Sequence, residues 1–408
     1  MKGFIGVIKL SKTVNYNLIG KLLLFLFCFL LPVNQKLSTI LIILMVFYSF
    51  IIVKNIDLKE LFRYTPFFVF YFLFIIANYD EGKFGINMFE QKASLIAFPI
   101  IFATIKLIDQ DYKNVLKYYV YGCFFIFLSS TFLAFYNSIS IGPFSFNPML
   151  VDVNAKGAIS KGSFLLTNYF LGNNFIQNMN GTFLSVYFSF ALFISLNFKN
   201  FIKYRALIIF CLVLGILQIF SVTGLICMIL VLILSIKPKF YKTILFVIFS
   251  SFIVLSGMLI YNYDKKEHLE LIQAVEKVDN RAIIWPIAIE TVAHNPFGLG
   301  KKNAQEALQL KFPKYGAFGY ESQLHKIDAH NMYMQILLEL GIIGFLLFIY
   351  IIFQFFRVKR VMLYTDLSNV FILLNLVLFL TESSLVTYAG LSFFCFFYCF
   401  FYSNTIKR

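Results

Sequence analysis

Long apolar runs, broken by short polar clusters, recur along this chain from residue 18 to residue 403. They lie at roughly 18–33, 37–53, 61–78, 93–108, 115–136, 179–197, 203–219, 221–236, 242–261, 331–356, 367–386 and 388–403. Each approaches or reaches the ~17–25 residues that a helix needs to cross the hydrocarbon of a bilayer. In that hydrocarbon the backbone must satisfy its own hydrogen bonds, so a spanning segment is a helix or part of a closed barrel. Barrel strands alternate apolar and polar positions, whereas these runs are continuous. The pattern predicts an all-α fold, a polytopic helical membrane protein with about twelve transmembrane helices. A single integral membrane domain is expected over 1–408. The first run follows Lys2, Lys9 and Lys12 in the manner of a signal peptide. No small-residue cleavage site follows "FLLPVNQK", and further runs come directly after, so it is expected to be retained.

Composition agrees. Hydrophobic residues make up 60% and charged ones 13%, with a mean hydropathy of +0.80, which no soluble fold needs. Basic residues orient the spans, because cytoplasmic connections carry an excess of Lys and Arg. With the N-terminus inside, the inner segments hold 20 of the 35 basic residues, and the short outer connections hold five (Lys36, Lys83, Lys92, Lys156 and Lys161). Both termini are therefore expected in the cytoplasm, with the chain in a bacterial inner membrane. The net charge of +15 then reflects the cytoplasmic face, since nine bases and nine acids balance in the outer segment 262–330. Nucleic acid is not an expected partner, because the bases are spread in threes around loops and form no single patch interleaved with aromatics. All six cysteines fall inside spans, and no Cys or His spacing suggests zinc. Phe and Tyr are abundant, as bulk expected mostly to face lipid.

Two outer segments break the rhythm of short connections. Residues 137–178 are rich in Gly, Asn and Ser with few charges; a loop so long is either functional or a loose surface segment. The segment 262–330, between spans 9 and 10, is predicted to be a large periplasmic loop with interfacial helices. It holds all four histidines: His268, His294, His325 and His330. Apolar positions at Leu269, Ile272 and Val275–Val278 follow helical spacing. Asp279 and Asn280 are candidate caps for a second helix that runs past Trp285 to the turn "HNPFGLG". Trp285 is expected at headgroup depth, and Pro286 is expected to kink or shorten the helix.

In "DAHNMYMQILLELGIIGFLLF", Asn331, Gln335 and Glu339 are spaced i, i+4, i+8 and line one stripe of a helix. At ~1.5 Å per residue, Glu339 lies roughly 13 Å along the span from His330. A charge at that depth is costly against lipid, so the stripe is expected to face protein or a wet cavity. Glu339 is then either an interhelical anchor or a catalytic group. Gly341 and Gly344 are expected to allow close helix approach. His330 either caps the helix mouth and meets headgroups, or performs acid–base work, for which its unperturbed pKa near ~6.5 is suited. A second polar cluster, Thr381 to Ser384 with Glu382, can border the same cavity.

Taken together, "NRAIIWPIAIETVAHNPFGLG" and "HNMYMQILLELGIIGFLLF" resemble the bacterial O-antigen ligase/polymerase superfamily. The resemblance is carried by Arg281 with Trp285, by Pro296 with Gly298 and Gly300, and by His330, Asn331, Tyr333, Leu337, Glu339, Gly341 and Gly344. The close match spans 281–345, within a signature region taken as 279–350. One position departs from the family pattern: Val222 follows Ser221 where an arginine is often found.

The resemblance implies an inverting glycosyltransferase of cell-surface polysaccharide biosynthesis that needs no cofactor and no metal. Its donor would be an undecaprenyl-diphosphate-linked glycan, its acceptor a lipid A core, a glycan or a protein, and membrane lipids its surroundings. It also implies His330, Arg281 and Glu339 as catalytic residues and Asn331, Trp285, Lys301, Lys302 and His294 as substrate-binding ones. Arg281 either binds the leaving diphosphate through its fork or only snorkels to headgroups. A polymerase of the same superfamily is the nearest alternative. A proton-coupled transporter using Glu339 and Glu382, or a flippase for lipid-linked sugars, is the alternative of a different class.

Overall fold

A computed structural model describes residues 18–52, 58–80, 83–84, 86–140, 145–148, 168–176, 179–198, 202–236, 243, 281–311, 328–358 and 362–403. Helices dominate: α1 (Leu18–Leu30), α2 (Gln35–Ile51), α3 (Leu58–Phe62), α4 (Thr65–Ala77), α5 (Ile86–Lys92), α6 (Ser94–Thr104), α7 (Asp109–Ser138), α8 (Gly181–Asn197), α9 (Arg205–Ile219) and α10 (Val222–Ile236). They continue with α11 (Arg281–His294), α12 (Lys301–Lys311), α13 (Met332–Arg357), α14 (Met362–Thr381) and α15 (Tyr388–Ser403). The strands described are two-residue pairs, Tyr79–Asp80 with Lys83–Phe84 and Ile139–Ser140 with Ser145–Phe146.

Every apolar run predicted from the sequence contains one of these helices except 242–261, which lies outside the described residues. So do the helix expected at 269–278, its neighbours Asp279 and Asn280, and His268 and His325. Among the described residues, three helices are long and apolar enough to cross a membrane: Asp109–Ser138, Met332–Arg357 and Tyr364–Thr381. Eight shorter apolar helices accompany them. Rows of large apolar side chains, such as Phe47, Ile51, Phe132, Phe210 and Ile229, remain exposed. Water does not tolerate apolar patches of that extent, whereas lipid does. This is a helical membrane protein.

The chain divides into two compact units. The first comprises residues 1–57, 100–239 and 366–374. Its centre is α8, buried from Phe183 to Ser195, which packs against α7, α9 and α10. A helix apolar on every side has no solvent face, so it goes inside. Asn180 caps it, accepting from Thr182 N at 2.8 Å, and Arg205 closes its other end on Ser195 O at 2.5 Å and Leu196 O at 2.8 Å. Lys21 and Asp111 form a 2.7 Å ion pair between α1 and α7.

The second unit comprises residues 58–99, 240–365 and 375–408. Its core is α15, buried from Ala389 to Tyr402. Phe394 and Tyr398 of α15 contact Phe67 of α4, and the Tyr398 hydroxyl donates to Ile351 O of α13 at 2.8 Å. These aromatics are not lipid-facing bulk: edge-to-face and offset ring contacts fill the interior of the unit. Helices α11 and α12 pack on α13 through Ile284, Ile287, Ala304, Leu308, Met334 and Leu338. Helix α11 runs on through Pro286 as far as His294, so the proline does not end it.

Candidate functional site

Around the start of α13 the second unit brings together residues distant in sequence. Asn331 is the N-cap: its Oδ1 accepts from Tyr333 N at 3.0 Å and Met334 N at 3.1 Å, using N–H groups that a helix start leaves unpaired. Its Nδ2 donates to Leu380 O at 3.1 Å, tying the mouth of α13 to the end of α14. The side chain is buried and engaged with the protein.

His330, just before this cap, has φ +45°. A left-handed conformation costs a β-carbon-bearing residue about 1–3 kcal/mol and persists only where its surroundings enforce it. Both neighbours are held. Ala329 N donates to Gln335 Oε1 at 2.8 Å, and Ala329 O accepts from Trp285 Nε1 at 3.1 Å. The His330 N–H itself donates to Asp328 Oδ1 at 2.8 Å. The Trp285 N–H thus has a fixed acceptor, and its ring packs against the apolar cluster of α11–α13.

His330 Nδ1 lies 3.4 Å from Glu382 Oε2, and Arg281 Nη2 donates to Glu382 Oε1 at 3.1 Å. One carboxylate therefore bridges the histidine and the arginine. Asp328 Oδ1 lies 3.7 Å from the same ring nitrogen. The hydrogen bond that His330 donates to Glu382 raises the His330 pKa above the ordinary imidazole value; burial and Arg281 act the other way, and Asp328 adds to the rise. The ring is partly open, with 42% of its side-chain surface exposed. With Nδ1 facing a carboxylate, Nε2 is the nitrogen left to accept a proton from outside.

The "PFGLG" turn has a specific seat. Gly341 has φ +65° and ψ −164°, a region open essentially to glycine alone, and α13 breaks there. The break frees backbone groups that the turn takes up. Leu299 N donates to Leu338 O at 2.8 Å, Gly300 N donates to Glu339 O at 3.0 Å, and Ile342 N donates to Pro296 O at 2.9 Å. A β-carbon on Gly298 would collide with Gly341 N, and one on Gly341 with the backbone of Phe297. Gly341 therefore serves to break its helix and admit a turn, in place of the helix–helix approach expected of it. Irregular backbone inside a membrane protein is tolerated where protein satisfies it in this way.

Glu339 is buried, and its Oε1 accepts from Gln335 Nε2 at 2.6 Å, so the predicted stripe Asn331–Gln335–Glu339 faces protein. Lys301, at the start of α12, donates its N–H to Asn78 Oδ1 at 2.7 Å and its Nζ to Gln91 Oε1 at 2.9 Å. Lys302 is exposed. His294 bonds Glu290 O at 2.8 Å through Nδ1 and ends α11, about 20 Å along the helix axis from Arg281 at ~1.5 Å per residue. Thus Arg281, His330, Asn331 and Trp285 converge, Gln335 links Glu339 to the residue before His330, and His294 stands at the far end of α11. Two participants carried no site role in the sequence: Asp328, and Glu382, which stood there as part of a polar cluster and as a proton carrier of the transporter alternative.

The architecture and this polar site define a helical membrane protein with a histidine–carboxylate–arginine cluster at the mouth of a spanning helix. The family model of O-antigen ligase matches residues 207–349, a similarity that supports the O-antigen ligase superfamily. No curated protein matches the chain. The matched segment runs from α9 into α13 and contains Arg281, His330 and the interlocked glycines; Lys92 and Glu382 lie outside it. The family implies a glycosyl-transferring enzyme of the ligase or polymerase type that works on a lipid-linked glycan and an acceptor.

Proposed function

We propose that this protein transfers a glycan from undecaprenyl diphosphate to a lipid A core, glycan or protein acceptor, with inversion and without a metal. The observation that carries the reading is Glu382, bridging His330 and Arg281 through its two oxygens. Held by Glu382 at Nδ1, the ring presents Nε2 to an acceptor hydroxyl. As the hydroxyl oxygen bonds to the anomeric carbon, its proton passes to Nε2, the bond from that carbon to the diphosphate oxygen breaks, and the electron pair leaves with the diphosphate. Glu382 stabilises the imidazolium so formed. Arg281 offers a delocalised, forked cation for the diphosphate. Asn331 and Trp285 position His330 through its neighbours. We assign Glu339 to the same supporting task, Lys301 and Lys302 to peripheral contacts with substrate or lipid, and no part in the site to His294.

The proposed setting is the outer face of the bacterial inner membrane. There are twelve spans, both termini are cytoplasmic, 262–330 forms the periplasmic loop, and one membrane domain covers 1–408 with 279–350 as its signature.

Transfer from purified lipid-linked glycan to acceptor, in detergent with excess chelator, tests this. His330→Ala is expected to lose ~10²–10⁴-fold in rate with donor binding kept. Arg281→Ala should lose both donor binding and turnover, and Arg281→Lys should recover part. Wild-type transfer by His330→Ala ends the general-base assignment. Lipid-linked sugar crossing liposome membranes with no acceptor glycosylated replaces transfer by flipping.

A further inference from the structure

A second set of buried polar groups stands behind the site and takes no part in the transfer step. Lys92, the last residue of α5, is buried, which is rare for lysine unless it is paired. Its Nζ donates to Leu385 O at 2.7 Å and sits 4.3 Å from the centre of the Phe74 ring. Leu385 N in turn meets the Met332 sulfur at 3.3 Å. Lys92 thereby ties down the turn that follows Glu382. Gln335 does the corresponding work on the other segment: it accepts from Ala329 N at 2.8 Å and donates to Glu339 at 2.6 Å, fixing the residue before the left-handed His330. Burial lowers the Lys92 pKa to about 8, Glu339 opposes that fall by favouring the ammonium form, and Lys301 adds to it.

We infer that Lys92 and Gln335 are positioning residues. Lys92 sets the segment that carries Glu382, and Gln335, which also holds the buried Glu339 carboxyl, sets the segment that carries His330. The inference rests on His330 acting as base. Its physical content is register. The pair His330–Glu382 is held at 3.4 Å by residues on opposite sides, and backbone amides alone do not specify that spacing. Buried charges are costly, and one attested reason to keep them is that they specify a single arrangement.

The test measures kcat, donor KM and the pH profile of kcat/KM for Gln335→Met and Lys92→Met in the full-length protein. Gln335→Met keeps side-chain volume but removes the acceptor for Ala329 N. The base must be neutral to act, so kcat/KM rises with pH through the His330 pKa. Loosening His330 from Glu382 lowers that pKa toward the ordinary ~6.5 and moves the acid limb to lower pH. The expected result for each variant is a kcat lowered ~10–100-fold, as sub-ångström to ångström misplacement gives. Donor KM should stay near wild type, and the acid limb should be displaced downward. If Lys92→Met does not fold, Lys92→Met/Glu339→Gln, which removes both buried ionisable groups, is read in the same way. A wild-type acid limb in folded variants overturns the inference, whatever the yield of protein. Wild-type activity in His330→Ala overturns the base assignment instead, so the two failures are distinct.

Discussion

In α8 of the first unit, buried hydroxyls are satisfied within a turn of their own helix: Ser189 on Ser185 O and Ser195 on Ala191 O, both at 2.8 Å. Its two ends are closed by Asn180 and Arg205, each close in sequence. Around α13 of the second unit, buried polar groups reach much further. Lys92 meets Leu385, Arg281 meets Glu382, Asn331 meets Leu380, and a broken helix is completed by a turn from another segment. The first arrangement is self-contained and chemically quiet. The second accepts a left-handed histidine, a helix break and buried charges, each costing about 1 kcal/mol or more. Left-handed Tyr204 and Phe220 flank α9 in the first unit as well, so what distinguishes the second is that its left-handed residue is a histidine that meets a carboxylate and packs beside a broken helix.

The comparison can be broken most forcefully at the interlock. Gly341→Ala puts a β-carbon against the Phe297 backbone in a conformation essentially reserved for glycine. It is expected to cost roughly 2–4 kcal/mol, read as a lowered midpoint of thermal unfolding in detergent. An unchanged midpoint would mean that the turn does not depend on the break in α13.

A smaller effect is expected from Arg205→Ala in the first unit. Losing its bonds to Ser195 O and Leu196 O should cost about 1–2 kcal/mol of stability, with the transfer rate per folded molecule unaltered. A fall in specific activity there would show that the quiet region is part of the machinery after all.

The finest discrimination comes from Glu382→Gln. Glu382 holds the His330 pKa above the ordinary imidazole value; without the carboxylate that pKa falls, and the acid limb of kcat/KM moves to lower pH. An acid limb that stays in place, or moves up, would separate Glu382 from the titration of His330.

Much of this molecule was legible in the order of its residues. Helices follow from local periodicity and from caps a few residues away, so α1, α2, α4, α6 to α10 and α13 to α15 lie where apolar runs predicted them, and Asn331 caps its helix from within the motif that named it. The glycines at 298, 300 and 341 were visible as a pattern. Their purpose was not, because a glycine that lets helices approach and a glycine that breaks a helix are spelled alike. The partner of His330 was equally hidden: Glu382 lies 52 residues away, and its choice between cluster member, proton carrier and bridge depends on which helices pack together. Lys92 reads in sequence as one more base of an outer connection. Only tertiary structure buries it, 293 residues from the carbonyl it meets, because long-range contacts are set by the packing of whole helices. Local chemistry thus determined the elements and the motif. Packing decided which carboxylate meets the histidine, and which buried charge braces the pair.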